Sequence, residues 1–399
     1  MSTDPSGTAT AKAFIKLAGS RAWARRMAEF GRIAAAGPHV RRAISQRHGL
    51  ELSLDRIARG SNRVPTTGER RVLDLARATV TAYAGLPPAG RERLRAMLRE
   101  GLSSEGTLIR LFHLMRTASL QRARGFSVTF AGLAEGADYD LLIERDGVQA
   151  EVVCDVVSAE DGRGVHRGAW VRLMDRVDPD LQTWLASHPG RYLLKLTLPQ
   201  GLRVDVDHQN LLATLHDRIR TMLAGQRRAD HDEAAVLRLD PLMLAGAQAG
   251  DLGLLNSLRR EFGHEAHLAV TEAGGGVFVM AARAGRENEV AVAIRRRMAA
   301  IAPIRLSGKR PGILAMFVED TDRAEWRHLR ERLELEGEAR QFLTFPEARV
   351  VVAVSCTSRL ELLGGTPPDA VADGELRFRN PSHPSAKTPA LAPAVLSSI

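Results

Sequence analysis

The chain has 399 residues, 44% hydrophobic and 26% charged, which is ample for packed cores, far from disordered composition and long enough for two or three domains. The longest uncharged run, Ala78–Gly90, contains Pro87 and Pro88 and falls short of the roughly 20 apolar residues of a membrane helix, so no transmembrane segment is expected. Residues 1 to 100 hold 19 Lys+Arg against 8 Asp+Glu, a balance of +11, while the remainder is slightly acidic; such a concentration of positive charge favours polyanions, nucleic acid first among them.

Residues 10 to 35 space Phe14, Leu17, Trp23, Met27, Phe30 and Ile33 at helical intervals, with Lys12, Lys16, Arg21, Arg25, Arg26 and Arg32 between them, the pattern of one amphipathic basic helix. Such a helix either packs with an Arg-rich outer face or contacts phosphates. Helical patterns at about 38 to 48, 51 to 59, 66 to 84 and 88 to 100 follow, so residues 1 to 100 read as a basic helical region. The turn at Gly49 resembles a helix-turn-helix spacing, although any helical bundle contains such turns.

Ser103-Ser104-Glu105 has the chemistry of a helix start, and the apolar face from Leu108 to Met115 continues it to about Arg122. Phe126–Phe130 alternates as a strand. Asp140–Arg145 and Val148–Val157 are two further strands joined by Asp146-Gly147, a strong hairpin signal. His166 to about Ser187 is helical, with Pro179 expected to kink or divide it, and Arg191–Leu198 is a fourth strand. Residues 101 to 200 thus read as helix, three strands, helix, strand. Residues 201 to 363 continue as α/β, with helices near 209 to 224, 251 to 262 and 287 to 301, strands near 234 to 239 and 312 to 318, a hairpin at Gly274-Gly275-Gly276, a long charged helix at 321 to 342 and a strand at 349 to 355. Residues 364 to 399 carry six prolines and are expected to be a disordered tail apart from a short strand at 375 to 379.

Asp140 and Glu151 lie ten residues or so apart across the hairpin, where pairing through Asp146-Gly147 can put both on one sheet face. Two carboxylates in one cleft suit a hard divalent cation such as magnesium or manganese. Asp138, two residues before Asp140, competes for the first position. With its element order, the segment resembles the PD-(D/E)xK restriction-endonuclease-like superfamily over about a quarter of the chain. That resemblance implies metal ligation by Asp140, Glu151 and the carbonyl of Val152, assistance from Glu105, and metal-dependent phosphodiester hydrolysis with magnesium or manganese as cofactor. The chain departs from the family where its lysine would stand, because that position is Val153. A replacement cation could come from His166, Arg167, Arg163 or Lys195. Otherwise the fold is a catalytically inactive nuclease-like scaffold that binds nucleic acid, DNA in particular, or acts in assembly or regulation with a protein partner.

Other patterns are less specific. Cys154 and Cys356 sit in apolar runs and make neither a disulfide framework nor a zinc site; with no compact apolar block in the first 20 residues, a reducing cytoplasm is the expected compartment. His264-Glu265-Ala266-His267 lacks the spacing of a helical zinc motif, Gly274-Gly275-Gly276 lacks the helix of a phosphate loop, and Asp230-His231-Asp232-Glu233 fits a solvated turn.

Overall fold

A computed structural model describes residues 5–60, 64–104, 106–203, 206–242, 267–363 and 375–397. Helices α1 (Pro5–Ala18), α2 (Ser20–Ala34), α3 (Pro38–Arg47), α4 (Gly49–Ala58), α5 (Thr67–Gly85) and α6 (Pro88–Gly101) lead the chain. Then come α7 (Ile109–Ala123), β1 (Ser127–Thr129), the one-turn α8 (Ala131–Ala134), β2 (Leu141–Arg145) and β3 (Val148–Ser158). A second stretch holds α9 (Arg167–Ser187), β4 (Arg191–Leu198), α10 (Val206–Ala224), β5 (Ala229–His231), β6 (Val236–Pro241), β7 (His267–Ala273) and β8 (Gly276–Ala284). The last comprises α11 (Val290–Arg305), β9 (Gly312–Glu319), α12 (Arg323–Glu331), α13 (Glu334–Phe342), β10 (Val351–Ser358), α14 (Arg359–Leu363), β11 (Leu376–Arg379) and α15 (Ala392–Val395). Among the described residues no helix is long and apolar enough to cross a membrane.

These elements form two compact units, each assembled from separated stretches of chain. The first is Met1–Gly31, Ser45–Ala159 and Ala291–Ile399; the second is Arg32–Ile44 and Glu160–Val290. This division differs from the four consecutive segments expected at 1 to 100, 101 to 200, 201 to 363 and 364 to 399. Local pattern finds elements, and it carries no information on which distant stretches share a core.

The first unit holds a six-stranded sheet in the order β1-β2-β3-β9-β10-β11. β1, β2 and β3 pair antiparallel, β9 lies parallel to both β3 and β10, and β11 closes the edge antiparallel. Continuous apolar runs such as Gly312–Val318 mark strands covered on both faces, and that stretch is buried throughout. Phe14 of α1, Leu54 of α4, Leu94 of α6 and Phe112 of α7 share one core with Val152 of β3 and Val395 of α15. Helices α1, α4, α5 and α6, with Trp23 of α2, are therefore part of this core; Lys12, Lys16, Arg21 and Arg25 are exposed, whereas Arg26 of α2 is buried and donates to the carbonyls of Ser104 and Gly106. α5 begins with a capping box in which Thr66 and Glu69 satisfy each other's backbone, as the sequence Thr-x-x-Glu favours.

The second unit holds a five-stranded sheet in the order β5-β6-β4-β8-β7, with β4 and β8 parallel. α9 and α10 cover one face, packing Leu173, Leu181, Leu215 and Ile219 on Leu194, Leu196, Phe278 and Met280. Asp175 of α9 accepts from the N–H groups of His39 (2.9 Å) and Val40 (2.8 Å) in the first turn of α3, a charge placement that the helix dipole favours.

Several expectations are corrected by these elements. β4, expected as the fourth strand of the endonuclease-like core, lies in the other sheet, and β9 takes the place beside β3. The basic helix expected over 10 to 35 is two helices broken at Gly19, whose φ of +97° suits glycine. α9 runs unbroken through Pro179, whereas the charged helix at 321 to 342 is divided at Leu333, which has φ +57°. Ser103 does not open a helix; its hydroxyl donates to the carbonyl of Glu100 and so closes α6, and α7 starts at Ile109. The short strand expected at 375 to 379 is β11, whereas residues 380–397 are packed structure and not a disordered tail; residues 364–374 lie outside the described residues. Phe378, Leu391 and Val395 are buried, and Pro384, Pro389 and Pro393 occupy first-turn positions where a missing N–H costs nothing. The helix expected at 251 to 262 and residues 264–266 of the His264 motif lie outside the described residues, and His267, the last residue of that motif, opens β7.

Candidate functional site

The β2–β3 hairpin turns at Asp146 and Gly147, both at positive φ, as a two-residue turn between right-twisted strands requires. The register it sets pairs Leu141 with Val152 and Leu142 with Glu151. Leu141, Ile143, Ala150, Val152 and Cys154 join the core shared with α7, so the two-residue period of a strand turns Glu151, Val153 and Asp155 to the opposite face. All three are buried.

Glu151 is wholly inaccessible. Its Oε2 accepts from the Ser307 N–H at 2.8 Å, its Oε1 accepts from the Ser307 hydroxyl, and the Arg310 guanidinium stands 3.6 Å from Oε1. Asp140, just before β2, accepts at Oδ2 from the Cys154 N–H (2.7 Å) and from Arg305 Nη2 (2.9 Å). Burial raises its pKa, against the opposing pull of Arg305 and the Cys154 N–H. Asp155 pairs with Arg297 through both Nε and Nη2. The carboxylates of this constellation are thus each held by α11 or by the loop that follows it. Sequence reading missed Arg297, Arg305, Ser307 and Arg310; the basic clusters at 295 to 297 and 309 to 310 were the signal that could have pointed to them.

The other expected site residues lie elsewhere. His166 and Lys195 belong to the second unit, whereas Asp140, Glu151 and Val152 belong to the first. His166, at the start of α9, has Nδ1 3.8 Å from Glu160, and Glu160 also takes Arg163 and the Arg167 N–H. Lys195 pairs with Asp240 at 3.0 Å. The cations that stand beside Asp140 and Glu151 are instead Arg305 and Arg310. Asp138 is exposed and contributes only its carbonyl, as an acceptor for Arg305 Nε. Glu105 lies outside the described residues.

The donor set does not fit the magnesium or manganese ion that the resemblance implies. Both Glu151 oxygens are occupied by Ser307, the Val152 carbonyl accepts from the Asp140 N–H at 3.0 Å, and a guanidinium already neutralises Asp140. Among the described residues no group of three or more His, Cys, Asp or Glu side chains could hold a metal ion. No protein-family model, curated protein or solved structure matches the chain.

Proposed function

We propose that this chain is a nucleic-acid-binding protein built on a divergent PD-(D/E)xK-like core whose carboxylate constellation has become structural. In this reading the core consists of α7, β1, β2, β3, α11 and β9, and residues 160–290 interrupt it between β3 and its second helix. The parallel pairing of β9 with β3 supports that assignment and restores the helix, three-strand, helix, strand order with a different final pair.

The observation that carries the reading is the state of Glu151, which is fully buried with both oxygens bound to Ser307. A carboxylate committed in this way cannot also coordinate a hydrated cation without dismantling the loop at Ser307. Val153, apolar and buried, leaves no lysine to orient a water. The binding half of the proposal rests on α1 and α2, where Lys12, Lys16, Arg21 and Arg25 are exposed and form no ion pair among the described residues. Unpaired surface cations are the ones that release counterions on meeting a phosphate backbone.

The test uses the full chain with single- and double-stranded DNA and RNA. Binding is expected to weaken with salt, and replacing Lys12, Lys16, Arg21 and Arg25 by Ala should reduce the slope of log K against log salt by up to about 3 to 4. No cleavage is expected with magnesium or manganese. Metal-dependent cleavage abolished by Asp140→Ala would overturn the structural role of the carboxylates, and an unchanged salt slope in the fourfold variant would overturn the binding role of α1 and α2.

A further inference from the structure

We propose that a cleft beside Asp140 binds the Watson–Crick edge of a guanine nucleotide. The cleft lies in the first unit, between α6, α7 and the end of α11, and has a volume of about 440 Å³, within the usual range for small-molecule sites. Asp140 and Arg305 line it together, with Met97 and Leu114 as apolar walls and Arg93 and Arg110 also lining it.

The polar groups define what fits. Asp140 uses Oδ2 for Cys154 and Arg305, and its Oδ1 has no hydrogen-bond partner among the described residues. A carboxylate oxygen has two lone pairs to offer. Arg305 spends Nε on the Asp138 carbonyl and Nη2 on Asp140, which leaves Nη1 without a partner among the described residues. An acceptor able to take two N–H groups therefore stands beside a free donor. Guanine presents the complement on one edge, N1–H and the N2 amino group next to the O6 carbonyl. Hypoxanthine lacks the N2 amino group, and adenine has a single donor group next to a ring nitrogen. Arg110, 43% exposed and only loosely tied to Glu100 at 3.5 Å, can reach a phosphate, while the half-buried Met97 offers apolar surface for the base plane over the buried Leu114. The ligand can be a free mononucleotide or an unpaired guanine in a strand. The site goes beyond the basic face of α1 and α2 and uses none of its residues.

The full chain is titrated with GMP, IMP and AMP, and in parallel with a thymine oligonucleotide with and without one guanine. GMP should bind about tenfold or more tightly than IMP, the cost of one hydrogen bond to a charged acceptor, with AMP weaker again. Asp140→Asn, with an unchanged circular dichroism spectrum, should erase the guanine preference, and Arg110→Ala should weaken GMP more than guanosine. A preference seen with GMP marks a free nucleotide as the source; one seen only with the oligonucleotide marks an unpaired base. Met97→Trp, which fills the cleft from a partly exposed position, decides the matter if Asp140→Asn does not fold. No guanine preference in either arm, or one that survives Asp140→Asn or Met97→Trp, would overturn the proposal. The fourfold α1–α2 variant should keep the GMP preference, so failure of the polyanion reading and failure of this one are told apart.

Discussion

The two units bury very different chemistry. In the second, Arg163 and Thr271 are the buried polar residues among those described, and the interior is leucine, methionine and aromatic packing. In the first, Glu51, His113, Glu151, Asp155, Glu361, Glu375 and Arg377 are buried alongside the apolar core. Trp326 donates to Glu361, whose other oxygen takes the Ser358 N–H and hydroxyl, and Arg124 pairs with Glu375. Buried polar networks cost more when broken than they contribute when complete. The first unit should therefore be the one sensitive to single polar substitutions and to pH.

The largest effect is expected from removing residues 375–399. That deletion takes the β11 edge from β10 and withdraws Phe378, Leu391 and Val395 from the core, at about 1.5 to 3 kcal/mol for each side chain. Thermal unfolding should show the first unit lost and the second retained; a melting curve unchanged by the deletion would contradict the packing of this segment.

A paired measurement of Glu151→Ala and Lys195→Ala sharpens the contrast. The first leaves the Ser307 donors and Arg310 facing a buried void and should cost about 3 kcal/mol or more. The second removes a partly exposed pair with Asp240 and should cost about 0 to 1 kcal/mol. Equal losses in urea denaturation would remove the distinction between the units.

The pH dependence is a smaller and subtler signature. Burial, with Asp320 beside it, raises Glu319 to about 7 from an ordinary 4.5, against the pull of Arg47 and a bond from Thr107. Its folded form holds a proton more tightly than the unfolded chain does, so its contribution to stability is complete below about 4.5 and is lost as the pH rises to about 7. Burial lowers His113 to about 4 despite the Ala315 carbonyl at 2.9 Å, and that contribution is present above 6.5 and lost as the pH falls to about 4. Each is worth up to about 3 kcal/mol, and they oppose each other between pH 4.5 and 6.5. Glu319→Gln should uncover a rise in stability with pH across that window, measurable by denaturation at several pH values. A profile identical to that of the parent chain would show that the carboxyl is not perturbed.

A local effect belongs to Asp175→Ala, which frees the first turn of α3 in the second unit and should cost about 1 kcal/mol in urea denaturation; no loss there would show that the carboxylate does not hold the helix.

How much of this was legible depended on distance along the chain. The hairpin at Asp146-Gly147, the strands at Arg191–Leu198 and Gly312–Val318 and the turn at 274 to 276 are written in local residues, and they are found where those residues place them. Strand partnership is not local. α9 with β4 and α11 with β9 have the same helix-then-strand pattern, and nothing within either says which pair belongs beside β3. For the site, the register that puts Glu151 opposite Leu142 follows from a two-residue turn. The partners of Asp140 (Arg305) and of Glu151 (Ser307 and Arg310) lie more than 150 residues further on, so the burial and neutralisation of the carboxylates could not be read from the hairpin. The proline-rich end misled because proline signals a break in local pattern, yet at the first turn of a short helix it fits without loss.

One contact within the second unit bears on how such a chain can be handled in the laboratory. The Glu289 N–H donates to the Gly162 carbonyl at 2.6 Å, and a Cβ on Gly162 would fall 2.5 Å from Val290 Cα. The ends of the long 160–290 stretch therefore meet at a pinch that only glycine permits, which is the geometry that tolerates a bridging linker or new termini. A fragment of 160–290 expressed alone would still expose the Asp175 carboxylate that holds α3. Supplying residues 32–44, fused through a short spacer, is the cloning strategy that geometry favours.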